Sequence, residues 1–364
     1  MNSQTPYILD SSPVSYAIGS GALEYSERFL EKFPRIIVLV DENVAVHCLP
    51  VFQKRLPAVV ISGIINIQAG EEKKNLEASK YIWSELTRMK VDRDALIVNL
   101  GGGVVSDIGG FTAATFKRGL QFINYPTTLL GMIDAAIGGK TGIDFGKYKN
   151  QVGLFVDPKS VVIDPIFLKT LDDKQLQSGF AELLKYALIT DLDLWEMLKG
   201  IKYNQITEWN KIIVKAARDK IDIVKHDAFE KGIRRNLNFG HTIGHAFESF
   251  FLMKDRPVTH GLAIAAGMYC ETYISSKKHG FGCDVVNEIV SMINLNFHHL
   301  DISHEQIPEL FEIMMQDKKV RGGKLQFSLL KRLGKTVHNC EVDDELVKES
   351  LYFYIEKRAC SEND

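Results

Sequence analysis

The sequence predicts an α/β N-terminal Rossmann-like domain followed by a mostly α-helical C-terminal domain. Three observations carry this. Short apolar, β-branched runs alternate with helical stretches early in the chain. One such run passes directly into a glycine triplet that opens a helix. After about Leu168 the strand-like runs stop, and stretches of helical period rich in Lys, Glu and Leu take over to near residue 316. A chain of 364 residues suits two domains better than one core. The boundary is placed between Asp164 and Gln177, giving domains 1–170 and 171–364.

In order, residues 36–41 (IIVLVD) read as a buried parallel strand ending in an acid. A second apolar run spans 58–66 (AVVISGIIN), and residues 75–90 show helical spacing. Ala95–Leu100 (ALIVNL) is a third strand, leading into Gly101-Gly102-Gly103. Phe122–Tyr125 and Val161–Asp164 read as further strands, and a short hairpin is expected around Gly322–Leu330. Neither repeats nor a low-complexity linker interrupts the pattern.

Bulk properties exclude several function classes. Hydrophobic residues are 45% and charged residues 25%, an ordinary globular balance. A net charge of −2 argues against nucleic acid or an anionic membrane as partner. No apolar run is long enough to span a bilayer, and the N-terminal residues lack the pattern of a secretory signal. The five cysteines are scattered and odd in number, poor material for a disulfide framework or a structural zinc site. A cytoplasmic setting is the expectation.

The segment NLGGGVVSDIGGFTAATF is a strand, glycine turn and helix start. Glycines let the backbone approach a diphosphate, and a helix N-terminus offers N–H groups and a positive dipole end. The spacing is not GxGxxG, so a phosphate cradle and a merely tight turn stay equally open. Asp41 ends the first strand where an acid can accept from a ribose, and AGEEKKN (Glu71, Lys74) ends the second. Solvated loop charges are the blander account of that segment.

Asn238-Phe239-Gly240-His241-Thr242-Ile243-Gly244-His245 places two histidines at i and i+4, on one face of a helix. His260 follows, and Glu182 lies upstream in GFAELLKYALI. Three such donors and a vacant position make a catalytic zinc site. HxxxH without the glutamate of HExxH does not indicate a metalloprotease. Histidines are more often packed or solvated than ligating, and spacing does not show that Glu182, His241 and His260 meet. The flanking glycines suggest a chain crowding a small ligand. Most lysines are solvated surface charges, but Lys140 (IGGKTG), Lys149 (KYKNQVG, beside Asn150), Lys185, Lys220, Arg234, Lys318 and Lys319 (DKKVRGGK) would, if they converge, suit a substrate with two anionic ends.

Together these segments resemble the 3-dehydroquinate synthase family of sugar-phosphate cyclases, from about Gly19 to Gly334. The motifs carrying the resemblance are Val40-Asp41-Glu42-Asn43-Val44, GEEKK, GGGVVSDIGGFTAATFKRG, YPTTLLGMIDAAIGGKTGI, KNQVGLF, FAELLKYALI, EKGIRRNLNFGHTIGHAFES, HGLAIAAGM and DKKVRGGK. The resemblance implies a dehydroquinate synthase-like fold, NAD, zinc (with cobalt as an option) and a homodimer. It implies Glu182, His241 and His260 as metal ligands. It assigns the substrate carboxylate to Lys220 and Arg234. The phosphate goes to Lys140, Asn238, one of Lys318 or Lys319, and Arg118 of the partner subunit. Asp134, Asn150 and Lys185 hold ring hydroxyls, and His245 moves a proton; with Lys140 these form the catalytic set. NAD falls to Asp41, Asn43, Glu71, Lys74, Gly102, Gly103, Val104, Asp107, Thr127, Thr128, Lys149, Phe167 and Thr170.

The implied substrate is 3-deoxy-D-arabino-heptulosonate 7-phosphate. The expected chemistry is transient oxidation, phosphate elimination, reduction, ring opening and intramolecular aldol closure, which regenerates NAD at each turnover. The family usually reads His-Gly-Glu where this chain has His260-Gly261-Leu262. A carboxylate lost there bears on metal affinity rather than on the ligand set. The rivals are a sister cyclase acting on a related sugar phosphate and a metal-dependent polyol or alcohol dehydrogenase. Lys220 and Arg234 argue against substrates without a carboxylate, because two unpaired cations in a closed site are costly. They do not separate the expected substrate from its amino analogue.

Overall fold

The computed structural model describes residues 5–146, 148–315, 320–321, 324–357 and 360. It divides into two compact units, Met1–Asp172 with Glu208–Phe229, and Asp173–Thr207 with Glu230–Asp364.

The first unit is built on a seven-stranded sheet. A hairpin of β1 (Tyr7–Ser11) and β2 (Val14–Ile18) is followed by α1 (Ala22–Leu30), β3 (Ile36–Asp41), α2 (Glu42–His47) and α3 (Leu49–Arg55). Next come β4 (Gly63–Ile67), α4 (Leu76–Arg88), β5 (Leu96–Gly101), α5 (Gly103–Thr115) and β6 (Gln121–Pro126). β7 (Lys140–Phe145) and β8 (Tyr148–Phe155) form a separate two-stranded ribbon before β9 (Ser160–Ile163) rejoins the sheet. The chain passes through α6 (Asp173–Ile189) and α7 (Leu192–Leu198) of the second unit, then returns to the first as α8 (Trp209–His226).

The sheet order is β1-β2-β9-β6-β5-β3-β4, parallel throughout except for β1. Ile36 to Val40 of β3 are all buried, as a strand covered on both faces requires. The strand expected over 58–66 begins only at Gly63. Its pairing with β3 starts at Ile37 opposite Gly63, so the earlier residues have no partner strand, and Val60 is 80% exposed. From β3 the chain steps outward to β4; from β5 it steps the other way, to β6 and then β9. The order reverses between β3 and β5, and ligands of open α/β sheets bind beyond the strand ends at such a point.

The second unit contains α6, α7, α9 (His241–Met253), α10 (His260–His279), α11 (Cys283–Asn296), α12 (Ile307–Met315) and α13 (Asp344–Ile355). A small sheet of β10 (Val320–Arg321), β11 (Lys324–Arg332) and β12 (Lys335–Glu341) completes it. α10 is its axis. Every residue from Gly261 to Ser275 is buried, and the helix packs on α6, α9, α11 and α13. The hairpin expected around Gly322–Leu330 is present as β10 against β11, with Val320 opposite Leu325, and β11 pairs further with β12.

The cysteine reading is corrected at one place: Cys283 and Cys360 are joined in a disulfide across a sequence separation of 77. Asn287 on α11 holds the backbone of Cys360 from both sides, accepting from its N–H (2.8 Å) and donating to its carbonyl (3.1 Å). Cys48, Cys270 and Cys340 are free thiols. Among the described residues no helix is long and apolar enough to cross a membrane.

Candidate functional site

In the first unit, sequence-predicted nucleotide residues gather at the C-terminal ends of neighbouring strands. β5 ends at Gly101, and Gly102 opens α5 without any side-chain cap. A Cβ on Gly102 would lie 2.9 Å from Thr128 Cγ2, and one on Gly103 would lie 3.1 Å from Ala135 Cβ. The glycines therefore admit the segment after β6 and also leave the first turn of α5 open to an anion. Thr127 donates its N–H to the Gly101 carbonyl (2.9 Å), locking the two loops together.

Lys74, in the loop after β4, is buried between Glu71 (2.7 Å) and Asp107 of α5 (3.0 Å). Burial opposes its charge, but the two carboxylates outweigh burial and hold Lys74 above the usual lysine value. Burial raises Asp107 to about 6, against the pull of Lys74. Asp41 caps α2 by accepting the Val44 N–H (2.8 Å), while Asn43 is exposed in the first turn of that helix. Val104 is half-buried, the Phe167 side chain is in the core, and Thr170 donates to the Phe167 carbonyl (2.7 Å) and meets Cys48 Sγ at 3.2 Å. Lys149 and Asn150 are exposed on the β7–β8 ribbon, where Asn150 N–H donates to Asp144 (2.7 Å). Lys140 is exposed at the start of β7, and Arg118 is exposed in a left-handed turn after α5. Asp134 accepts from Lys220 of α8 at 2.7 Å, with Lys220 buried.

In the second unit, Glu182, His241 and His260 come together from α6, α9 and α10, with one ligand atom from each within 4.8 Å of the others. Nε2 of His241 and Nε2 of His260 both lie 3.4 Å from Glu182 Oε1. His241 Nδ1 is 3.1 Å from the Phe239 carbonyl and His260 Nδ1 is 3.5 Å from Glu248 Oε2. These Nδ1 contacts orient the two rings so that both Nε2 atoms face the glutamate. Glu182 is 1% exposed, and neither of its oxygens accepts a hydrogen bond of ordinary geometry, although Lys185 Nζ stands in salt-bridge contact with Oε2.

Two imidazoles and a carboxylate converging on one point fit a cation, and this ligand set fits zinc. Burial alone would raise Glu182, but Lys185 and His241 outweigh it and keep the carboxyl well below its usual range. Burial and then the Lys185 charge lower His241. Burial also opposes protonation of His260, yet Glu182 and Glu248 facing its two nitrogens push it up to about 10. The His245 ring stands 5.2 Å from that of His241 and 6.1 Å from that of His260.

The glycines flanking His241 and His245 lie against α10, where a Cβ on Gly240 would lie 2.4 Å from Met268 Cγ and one on Gly244 would lie 2.8 Å from Ile264 Cδ1. A Cβ on Gly267 of α10 would lie 1.9 Å from the Gly240 carbonyl, and one on Gly261 would lie 2.2 Å from the Ser178 carbonyl of α6. Gly261 N–H also donates to Ser178 Oγ (2.9 Å), one helical turn before Glu182. Backbone contact on two sides thus brings three helices close enough to share one ion. Leu262 is buried in the first turn of α10. Arg234 is buried, and Asn238 donates to Glu230 (3.0 Å). Lys318 and Lys319 lie outside the described residues.

Residues 64–178 match the family model for the N-terminal region of 3-dehydroquinate synthase, and residues 179–320 match that for its C-terminal region. The chain belongs to the 3-dehydroquinate synthase family. It is 41% identical to the 3-dehydroquinate synthase of Parabacteroides distasonis over 89% of this chain and 92% of the relative. Identity to the Clostridium acetobutylicum enzyme is 39% over 88% and 89%. In fold it is similar to a 2-deoxy-scyllo-inosose synthase complexed with carbaglucose-6-phosphate, NAD+ and Co2+ (TM-score 0.81, 24% identity, covering 95% and 99%). An iron-containing alcohol dehydrogenase is a more distant likeness (TM-score 0.65, 15% identity, covering 98% and 100%).

Two carboxylates around the cluster escaped the sequence reading of this family member. Glu248 lies three residues past His245 and seven past His241, on the same helix face, so its spacing could have disclosed it. Glu271 stands inside the otherwise apolar run of α10; a lone charge in such a run was the available signal.

Proposed function

We propose that the chain is a 3-dehydroquinate synthase that converts 3-deoxy-D-arabino-heptulosonate 7-phosphate into 3-dehydroquinate and phosphate. Family membership supports the reaction, and the convergence of Glu182, His241 and His260, with one ligand atom of each within 4.8 Å of the others, is the observation that carries it. These three residues hold zinc, with cobalt as a substitute. NAD would be held at the strand ends of the first unit by Gly102, Gly103, Val104, Asp41, Asn43, the Glu71–Lys74–Asp107 group, Thr127, Thr128, Lys149, Phe167 and Thr170. When bound, the metal supplies Lewis acidity at a hydroxyl and NAD supplies a reversible hydride acceptor.

The remaining work belongs to the side chains. Lys220 and Arg234 bind the substrate carboxylate, and their burial strengthens the attraction. Asp134, paired with Lys220, holds a ring hydroxyl. Asn150 and Lys185 hold further hydroxyls. Lys140, Asn238 and one of Lys318 or Lys319 bind the phosphate. His245 transfers a proton near the metal ligands. A homodimer brings Arg118 of the partner subunit to the phosphate. The exposed ribbon side chains Phe145, Tyr148, Val152, Leu154 and Phe155 support such a pairing, since an apolar surface of this kind seeks a cover.

The test is phosphate release from that substrate with NAD at a small fraction of its concentration. Many phosphates per NAD are expected, without net NADH, abolished by a chelator and restored by zinc. NADH accumulating with substrate consumption would indicate a dehydrogenase. No release from the metallated, NAD-bound protein would indicate a sister cyclase.

A further inference from the structure

Glu271 of α10 is completely buried, and the chemistry above has no use for it. Its Oε2 accepts the Gly240 N–H at 2.7 Å. Its Oε1 accepts the N–H groups of Thr242 at 3.0 Å and Ile243 at 3.2 Å. These donors bracket His241 on both sides. They belong to the start of α9, where the N–H groups lack helical partners and the dipole is positive. Gly240, the residue before α9, has a left-handed backbone (φ 81°) and no side chain with which to cap it. A carboxylate from another helix takes over that duty.

The cradle is fixed in register. Gly267 lies one turn before Glu271 on α10, and its lack of a side chain lets α10 touch the backbone at Gly240 and Gly244. The same helix begins with His260. One helix therefore provides one ligand directly and fastens the backbone that carries another.

We infer that Glu271 is a positioning residue for the metal, setting His241 by holding the three N–H groups around it. The inference rests on the metal reading above. A helix cap with no further role would affect folding alone; a positioning residue affects affinity and coordination geometry in a protein that still folds. Glu271→Gln preserves size but offers one acceptor oxygen in place of two, so an NH2 group faces at least one N–H.

The test compares the full-length wild type, Glu271→Gln, Glu271→Asp and Trp195→Phe. Trp195→Phe removes the Trp195–Glu288 hydrogen bond between α7 and α11 and serves as a stability control. Zinc affinity is read by competition with a chromophoric chelator, coordination by the visible absorption of the cobalt-loaded protein, and folding by the Tm of the metal-free protein. Glu271→Gln is expected to weaken zinc by about 10- to 100-fold and to alter the cobalt bands. Glu271→Asp, which keeps the charge but shortens its reach, falls between and decides the matter should the glutamine variant not fold. Trp195→Phe lowers Tm and leaves zinc affinity unchanged. Wild-type affinity and cobalt spectrum in a folded Glu271 variant would overturn the inference, as would an equal loss of affinity in Trp195→Phe. A wild type that binds no zinc would bring down the metal reading itself.

Discussion

The two units place their candidate ligand-binding groups by different means. In the first, Asp41 ends β3 while Lys74, Gly102 and Thr127 follow β4, β5 and β6, and the ladder of the parallel sheet puts those strand ends side by side. In the second, Glu182, His241 and His260 come from three helices with no ladder between them. Their spacing is set by backbone contact at Gly240, Gly261 and Gly267 and by the carboxylates of Glu248 and Glu271. A site on strand ends inherits its geometry from the fold. A site on helix faces needs side-chain-free contacts and buried charge to obtain the same precision.

Substitutions that act on one unit and spare the other sharpen this contrast. The largest effect is expected for Gly267→Ala, whose methyl group would press into the Gly240 carbonyl. A loss of about 3 kcal/mol or more in denaturant unfolding of the second unit is predicted, with zinc affinity lost and NAD affinity retained. Lys74→Ala should do the converse. It strands Asp107 without its cation and should lower the stability of the first unit by about 2–3 kcal/mol and weaken NAD, leaving zinc binding unchanged by calorimetry.

The third expectation is a pH dependence confined to the second unit. In the metal-free protein His260 is raised to about 10 and keeps its proton at neutral pH, whereas Glu182 and His241 are both lowered and need lose none. Zinc then displaces one proton, so affinity rises about tenfold per pH unit from pH 7 toward 10 and levels off above it. Titrations in buffers of different ionisation enthalpy check the proton count. The smallest effect belongs to Asp41→Ala, which removes the cap of α2. About 1 kcal/mol of stability and some NAD affinity should be lost, with the zinc curve unmoved.

The same contrast explains what the sequence made legible. IIVLVD and ALIVNL announce buried parallel strands, and the residues just past them are those proposed for the nucleotide. The i,i+4 spacing of His241 and His245 puts both on one face of α9, as found. That Glu182 and His260 join them followed from resemblance and not from spacing, because the register of α6, α9 and α10 is a matter of long-range packing. The glycines were noticed but their contacts with neighbouring helices were not: sequence shows that a backbone is bare, not what approaches it. α8 reads as helix like its neighbours, and nothing local marks its return to the first unit. The bond between Cys283 and Cys360 was hidden likewise, since separation along the chain carries no information about how α11 meets the C-terminal segment.

The central claim is that Glu182 is a ligand awaiting a cation and that its role ends with the second unit. Zinc and NAD binding to Glu182→Gln, measured side by side with the wild type by calorimetry, tests it most directly. The wild type should take one zinc per chain; the variant should take none at the same concentrations, with NAD affinity unaltered. Stoichiometric zinc in the variant, or none in the wild type, would contradict the account.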